Sequence, residues 1–322
     1  MYVEMDWNIE IGNYYLAMMA GCEIYKSVDV LASTCIITLP GFAYSKAFEI
    51  EDKIKRGDEV KVNLGYNKVF KVEFEGYLQN ISTDAGTLTL NCEDDLFLFR
   101  YKAVKDKEFV NATAKSIVQY LLDQTGLKME IDSTIGIDYN KFVISRATAY
   151  DVLKKLKEET SANIFITKED DKVIIHIHPP YTQDFETVHY SFQQNIEKDS
   201  LKYIRKEDRN IEIVVSSTGK DGNKKEVRYG TTGGEAINKT VYGMSDEGMK
   251  AFAKQEFDQN YFDGYEGNIT TWLVPFVKPG DSAYINDEDY EYKNGRYYVT
   301  SVKTSFDANG AVRDVQLGKR LS

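Results

Sequence analysis

At 322 residues, with 42% hydrophobic and 28% charged residues, the chain has room for two or three domains with ordinary packed cores and does not read as a disordered tail. A net charge of −11 argues against a surface built to grip phosphates, because nucleic-acid affinity rests largely on Lys and Arg. No run approaches the roughly 18 apolar residues of a membrane helix, and 5 Pro against 23 Tyr and 16 Phe favour sheet.

Residues 14–18 are expected to begin the fold as a first strand or short amphipathic element. Met19-Ala20-Gly21-Cys22 has the form of a bacterial lipoprotein cleavage box. Yet Glu4, Asp6 and Glu10 precede it and Lys26 is the first basic side chain, whereas a secretory leader needs a basic start. Strands are expected at 22–25 and 34–39, with a turn at Pro40-Gly41. None of the three cysteines, Cys22, Cys35 and Cys92, stands in a Cys-x-x-Cys spacing. Neither a disulfide framework nor a structural zinc site is expected, and a reducing compartment is the more natural one.

From Arg56-Gly57-Asp58 three alternating runs follow. Val60, Val62 and Leu64 alternate with Glu59, Lys61 and Asn63; Phe70, Val72 and Phe74 with Lys71, Glu73 and Glu75; Leu88, Leu90 and Cys92 with Thr87, Thr89 and Asn91. Strict alternation predicts the first set of each on a buried face and the second in solvent. Asp84-Ala85-Gly86 is the expected turn before the third run, and Glu93-Asp94-Asp95 ends a first β module over 1–102.

Beyond it the period lengthens to 3.6. Ala114, Ile117, Val118, Leu121 and Leu122 share one helix face, with Asn111 or Thr113 as cap and Gly126 as stop. Thr148 and Asp151 form a second capping pattern ahead of Ala149, Val152, Leu153 and Leu156. A hairpin is expected from 163–167 and 173–177 around Glu169-Asp170-Asp171. Residues 103–180 thus read as a small α+β domain, with Pro179-Pro180 as the linker.

The third region, 181–322, opens with strands at 201–205 and 211–215 and a hairpin turn at Asp221-Gly222. An inserted loop and helix region spans about 216–265. Ser245 caps a helix whose first turn carries Asp246 and Glu247, suited to the helix dipole, and whose core stripe is Met249, Phe252, Ala253 and Phe257. From Gly267 the pattern is β again: Ala283 and Ile285, a hairpin turn at Asn294-Gly295, then Tyr297, Val299 and Val302, a turn at Asp307-Ala308-Asn309-Gly310, and a last strand over 312–317.

This last block repeats the first. Gly57 and Gly280 are 223 residues apart, and so are Asp84 and Asp307. The intervening strands match in pattern only. Two unrelated meanders with common turn chemistry would look alike, but the shared offset points to a duplicated module.

The chemistry-bearing motifs are weak. His176 and His178, two apart on a strand, point to one face and could share a metal; a third ligand is not evident, His189 is the only other histidine, and a partly exposed strand end is expected instead. Asp287-Glu288-Asp289 lacks the calcium-loop pattern and reads as a wet strand connection. Gly230-Thr231-Thr232-Gly233-Gly234 has no Gly-Lys-Ser/Thr and reads as a flexible loop rather than a phosphate cradle. Arg56-Gly57-Asp58 is better explained by turn chemistry than as an adhesion tripeptide. No Gly-x-Ser-x-Gly accompanies the three histidines, and none of the 51 acids is marked by an apolar context. The expectation is no enzyme, no catalytic residue, no cofactor and no metal.

Several stretches in order carry a family likeness: Ile54-Lys55-Arg56-Gly57-Asp58-Glu59-Val60, then Phe74-Glu75-Gly76-Tyr77-Leu78, Leu88-Thr89-Leu90-Asn91-Cys92-Glu93-Asp94, the run 142–156, and Pro279-Gly280-Asp281 with Tyr298-Val299, Phe306 and Leu317-Gly318. This order resembles the baseplate hub proteins of contractile phage tails, the late control D group that also underlies type VI secretion spikes. The resemblance implies a mainly β fold with an α+β middle domain and two tail-tube-like antiparallel β-barrel modules.

It further implies a homotrimer whose six barrels form a pseudo-sixfold ring joining the tail tube protein to a separate spike protein, with tape-measure protein and DNA only as passing cargo and no stable membrane association. The place of action would be the virion tail or baseplate, assembled in the host cytoplasm. Some hubs carry a fused lysozyme or spike; with the sequence ending at Ser322, neither is expected. A β-rich tail-tip or receptor- or carbohydrate-binding module is the alternative, expected to show a cleft and no ring. A cell-wall hydrolase would require a pair of essential carboxylates.

Overall fold

The computed structural model describes residues 4–40, 53–84, 86–169, 172–182, 185–218 and 224–321. The turns expected at Pro40-Gly41, Asp84-Ala85-Gly86, Glu169-Asp170-Asp171 and Asp221-Gly222 lie wholly or partly outside these residues. By contact the chain forms two compact units. Unit 1 gathers 1–97, 185–202 and 266–322; unit 2 gathers 98–184 and 203–265. Residues 203–265, which include the insertion expected at about 216–265, therefore group with the middle of the chain.

Strands are numbered along the chain. Unit 1 holds β1 (Met5–Ile11), β2 (Tyr14–Tyr15), β3 (Gly21–Ser27), β4 (Thr34–Pro40), β5 (Glu59–Tyr66), β6 (Val69–Asp84) and β7 (Thr87–Glu93). It also holds β13 (Thr187–Ser191), β14 (Lys198–Asp199), β20 (Asn268–Trp272), β21 (Ser282–Asn286), β22 (Gly295–Asp307) and β23 (Gly310–Arg320). They form one sheet in the order β14-β20-β23-β22-β3-β4-β7-β6-β5-β1-β2, with β21 also on β22 and β13 on β21. The β13–β21 pair is parallel and the other pairs are antiparallel. The alternation in β5 and β7 holds: Val60, Val62, Leu64, Leu88, Leu90 and Cys92 enter one core with Ile9, Ile24, Cys35 and Ile37, joined by Phe306 and Ala311 from the last hairpin.

The opening of the chain differs from expectation. The first strand is Met5–Ile11, ahead of residues 14–18, of which only Tyr14–Tyr15 is a strand. Trp7, Ile9 and Ile11 alternate with Asp6, Asn8 and Glu10 in this strand and carry its period of two. Cys22 of the cleavage-box motif is a buried residue of β3.

The second run also departs from strict alternation. Phe70 and Val72 are 39% and 41% exposed, while Glu73 is buried beside Phe74. The cause is a β-bulge: Val62 faces Phe74 and Asn63 faces Val72, which leaves Glu73 without a cross-strand partner and reverses the phase of the strand before it. The expected hairpin turn at Asn294-Gly295 is corrected too. β21 and β22 do pair, but their connection is a longer loop, 287–294, with a 3-10 turn at Glu291–Lys293. In it Asp287 Oδ1 accepts from the backbone N–H of Asp289 and Tyr290, and Asn294 Oδ1 accepts from that of Asp287. Of the three acids expected in a wet strand connection, Asp287 is buried, whereas Glu288 and Asp289 are exposed.

The sequence after the first module passes through one helical turn, α1 (Phe97–Arg100), into unit 2. Here β8 (Lys107–Thr113) leads to α2 (Ala114–Thr125), β9 (Glu130–Ser133), β10 (Asp138–Ile144), α3 (Ala149–Thr160), β11 (Asn163–Glu169) and β12 (Lys172–His178). Thr113 and Ser116 form a reciprocal capping box on α2, and Thr148 and Asp151 form one on α3. The five predicted apolar residues of α2 are its buried face, and Gly126 ends it in the left-handed conformation.

Chain segments β15 (Lys202–Ile204) and β19 (Gly264–Glu266) pair with each other. Between them β16 (Ile211–Thr218), β17 (Lys224–Gly230) and β18 (Glu235–Val241) form a three-stranded sheet under α4 (Asp246–Asn260). Gly230–Gly234, expected as a flexible loop, is a tight return: the Thr231 N–H donates to Ile211 O, and a Cβ on Gly230 would come within 2.7 Å of that oxygen. On α4, Met249, Phe252 and Ala253 are buried as expected. Phe257 is half-buried against Tyr229, and Glu256 takes the buried position with Lys239 at 2.8 Å. Lys141 N–H donates to Gly243 O, Ser245 N–H to Asp138 O and Gln255 Nε2 to Thr160 O, which tie this segment to residues 98–184.

Candidate assembly interface

The repeat is built from matching hydrogen bonds. Gly57 and Gly280 both have φ of 92°, a conformation that favours glycine. Asp58 Oδ2 accepts from Lys55 N–H and Asp281 Oδ2 from Lys278 N–H, each at 2.8 Å. Leu78 and Val299 each close the turn with a pair of backbone bonds, to Gly57 and Asp58 in one case and to Gly280 and Asp281 in the other. A bulge follows both: Asn80 opposes Asn91 as Ser301 opposes Gln316. Leu78 thus answers to Val299, two residues short of the 223 offset, and Cys92 to Leu317, two beyond it. The second hairpin is longer by two residues per strand, so the Asp84–Asp307 offset matches one turn to another.

In the second module β22 is fully used. One edge pairs with β23; the other pairs first with β21 and then, over 301–307, with β3 of the first module. Val28 N–H donates to Thr300 O at the start of that seam. The counterpart stretch of β6 pairs with β7, and among the described residues no strand lies along its other edge. Arg56 Nε occupies Gln79 O, the counterpart of Thr300 O, at 2.9 Å. Asn80, Ser82 and Thr83 are exposed.

The counterpart of β3 is β14. Lys198 and Asp199 pair with Thr270 and Ile269 of β20 as Gly21 and Cys22 pair with Thr38 and Ile37 of β4. β14 ends the sheet, and its outer edge has no strand partner among the described residues. Unit 1 therefore presents two strand edges whose equivalents in the same sheet are joined to each other. Nothing in the sequence of β6 or β14 marked these edges; register alone reveals them.

A second arrangement lies in unit 2. β9 and β12 run parallel with Asp132 opposite His176. The spacing of two sends His176 and His178 to one face, as predicted, and the register brings in the acid that the sequence did not reveal. Asp132 Oδ2 lies 3.1 Å from His176 Nδ1 and 3.2 Å from His178 Nε2, and those nitrogens are 3.4 Å apart. Phe165 stacks on His176 at 4.6 Å. Burial lowers the pKa of His178, against the opposing pull of Asp132. His189 stands apart in unit 1, on β13 against Tyr284.

The Alg8 N-terminal domain family matches residues 14–201, more than half of the sequence. The chain belongs to that family. No curated protein matches it by sequence. Among solved structures, a 43 kDa tail protein of prophage MuSo2 from Shewanella oneidensis is similar over 98% of each chain, at 14% identity and a TM-score of 0.63. A tail protein of Neisseria meningitidis is similar over 98% of this chain and 96% of its own, at 12% identity and a TM-score of 0.64. An E. coli type VI secretion component, described as structurally similar to the T4 tail proteins gp27 and gp5, is similar over 98% of this chain and 79% of its own, at 9% identity and a TM-score of 0.60. This member of the Alg8 N-terminal domain family therefore shares the fold of phage tail proteins over nearly its whole length.

Proposed function

We propose that the chain is a structural hub of a phage tail or phage-like injection machine, forming a trimeric, pseudo-sixfold ring between the tail tube and a spike protein. The observation that carries this reading is the unequal use of equivalent edges. β22 is joined to β3 within the chain, whereas the corresponding edges of β6 and β14 have no strand partner among the described residues. Pairing β6 of one copy with β14 of the next would repeat the β3–β22 seam between subunits. Such a head-to-tail contact closes into a ring when the step is regular. Each chain contributes two such steps, so three chains give six. The shared fold with tail proteins agrees with this role, and the tube-like barrels of the hub family supply the analogy.

The seam has a predicted register. Thr83 is the counterpart of Thr304, which faces Ile24 across the seam, and it falls opposite Leu201; Ser82 falls opposite Lys202. Strand alternation directs the Thr83 N–H to the open edge, so Thr83→Pro removes a donor there and none from the β6–β7 ladder. Light scattering across a wide concentration range should read a trimer for the wild type and a monomer for Thr83→Pro, with matching circular dichroism. A trimer unmoved by Thr83→Pro overturns the strand pairing. A dimer, or a monomer both alone and with the spike protein, overturns the ring.

A further inference from the structure

The three side chains Asp132, His176 and His178 converge on one another. The outward nitrogen of each imidazole is held by a threonine hydroxyl: Thr167 Oγ1 lies 2.8 Å from His176 Nε2, and Thr134 Oγ1 lies 2.7 Å from His178 Nδ1. When those outward N–H groups donate to the threonines, both inward nitrogens present lone pairs beside a carboxylate oxygen. Three acceptors facing one another repel unless a proton or a cation lies among them.

We propose that this cluster is a binding site for a divalent transition-metal ion of the zinc class. The ligand atoms are already spaced for it. A tetrahedral ion with bonds of about 2.0–2.1 Å has ligand-to-ligand edges of about 3.3 Å. The three separations here are 3.1, 3.2 and 3.4 Å. Two imidazoles with one carboxylate favour zinc or its neighbours over calcium and magnesium, which take oxygen ligands. The threonines play the part of outer partners, fixing the ring orientation and tautomer of each ligand.

The protein offers three ligands and leaves a fourth position for water, on the side where Asp132 is 52% exposed. The ion would tie β9 to β12 through Asp132. This proposal is independent of the ring, because its residues all belong to unit 2.

The test uses the untagged full chain, stripped with EDTA, equilibrated with zinc chloride, desalted and assayed for metal. One zinc per chain is expected, with a rise in melting temperature that calcium and magnesium do not reproduce. Asp132→Asn should weaken zinc binding at least tenfold while keeping the circular dichroism and apo melting temperature of the wild type. His176→Gln with His178→Gln should abolish binding. Cobalt(II) in place of zinc should give visible absorption of four-coordinate intensity in the wild type alone. Equal zinc retention by the wild type and Asp132→Asn, or none in the wild type, overturns the site and leaves a hydrogen-bonded His–Asp group.

Discussion

Glu73 and Arg313 are 240 positions apart in sequence and form an ion pair inside unit 1. Glu73 reaches the interior because β6 bulges there, and Arg313 comes from β23, where it is fully buried. The Arg313 guanidinium also donates to Leu273 O and Pro275 O, each at 2.9 Å. Burial raises the Glu73 pKa, while Arg313 and Lys26 oppose the rise. The pair therefore pins the first module to the second.

Removing one partner strands a buried charge. Arg313→Met should destabilise the protein by about 3–5 kcal/mol in chemical denaturation. Glu73→Gln combined with Arg313→Met should return most of that loss, because neither charge then remains. A single-variant cost below about 1 kcal/mol would mean that water reaches the pair.

Glu159 gives a pH signature in unit 2. Burial pushes its pKa up to about 7 from 4.5, with smaller opposing effects from Lys155 and the Tyr139 phenol. A raised carboxylate pKa means that the native state holds a proton which the unfolded state releases. Stability should fall as pH rises from about 4.5 to about 7, by up to about 3 kcal/mol from this group. Glu159→Gln should flatten that window and gain stability above pH 7. Melting curves between pH 4 and 8 read the difference directly.

Two glycines separate backbone conformation from crowding. A Cβ on Gly76 would lie 2.2 Å from Glu93 O, which belongs to a strand paired on both sides. Gly76→Ala should cost at least about 3 kcal/mol or displace the β6–β7 ladder. Gly57 has open space around it but a φ of 92°. Gly57→Ala should cost about 1–2 kcal/mol, and Gly280→Ala in the repeated turn should cost a comparable amount.

The thiols should be silent. Cys22, Cys35 and Cys92 are buried and unbridged, and burial raises the pKa of Cys35 and Cys92. A thiol reagent at neutral pH should label none of them in the native protein and all three in guanidinium, since the thiolate is the reactive form.

The helices were legible because their signals are local. Thr113, Thr148 and Ser245 cap backbone N–H groups within one turn, and the apolar stripes of α2 and α3 bury the residues that a 3.6 period selects. The two glycine–aspartate turns were legible for the same reason. β6 was not, because a bulge reverses the phase of the strand, and its position is set by register against β5 and not by the alternation of β6 itself. The loop 287–294 departs from the expected tight hairpin because Asn294 serves as a side-chain acceptor for the Asp287 N–H and not as a turn residue.

What the sequence by itself determined, then, is the three longer helices, the alternating strands β5 and β7 and the two glycine–aspartate turns that mark a repeat, for these follow from periodicity and from bonds spanning a few residues. Tertiary structure alone decided which strands lie side by side: β3 against β22, β6 and β14 with one edge unpaired among the described residues, Asp132 beside His176, and Arg313 against Glu73. Those outcomes depend on register between distant segments. A one-residue slip would turn every side chain of a strand to the opposite face, and no local pattern specifies which distant strand supplies the partner.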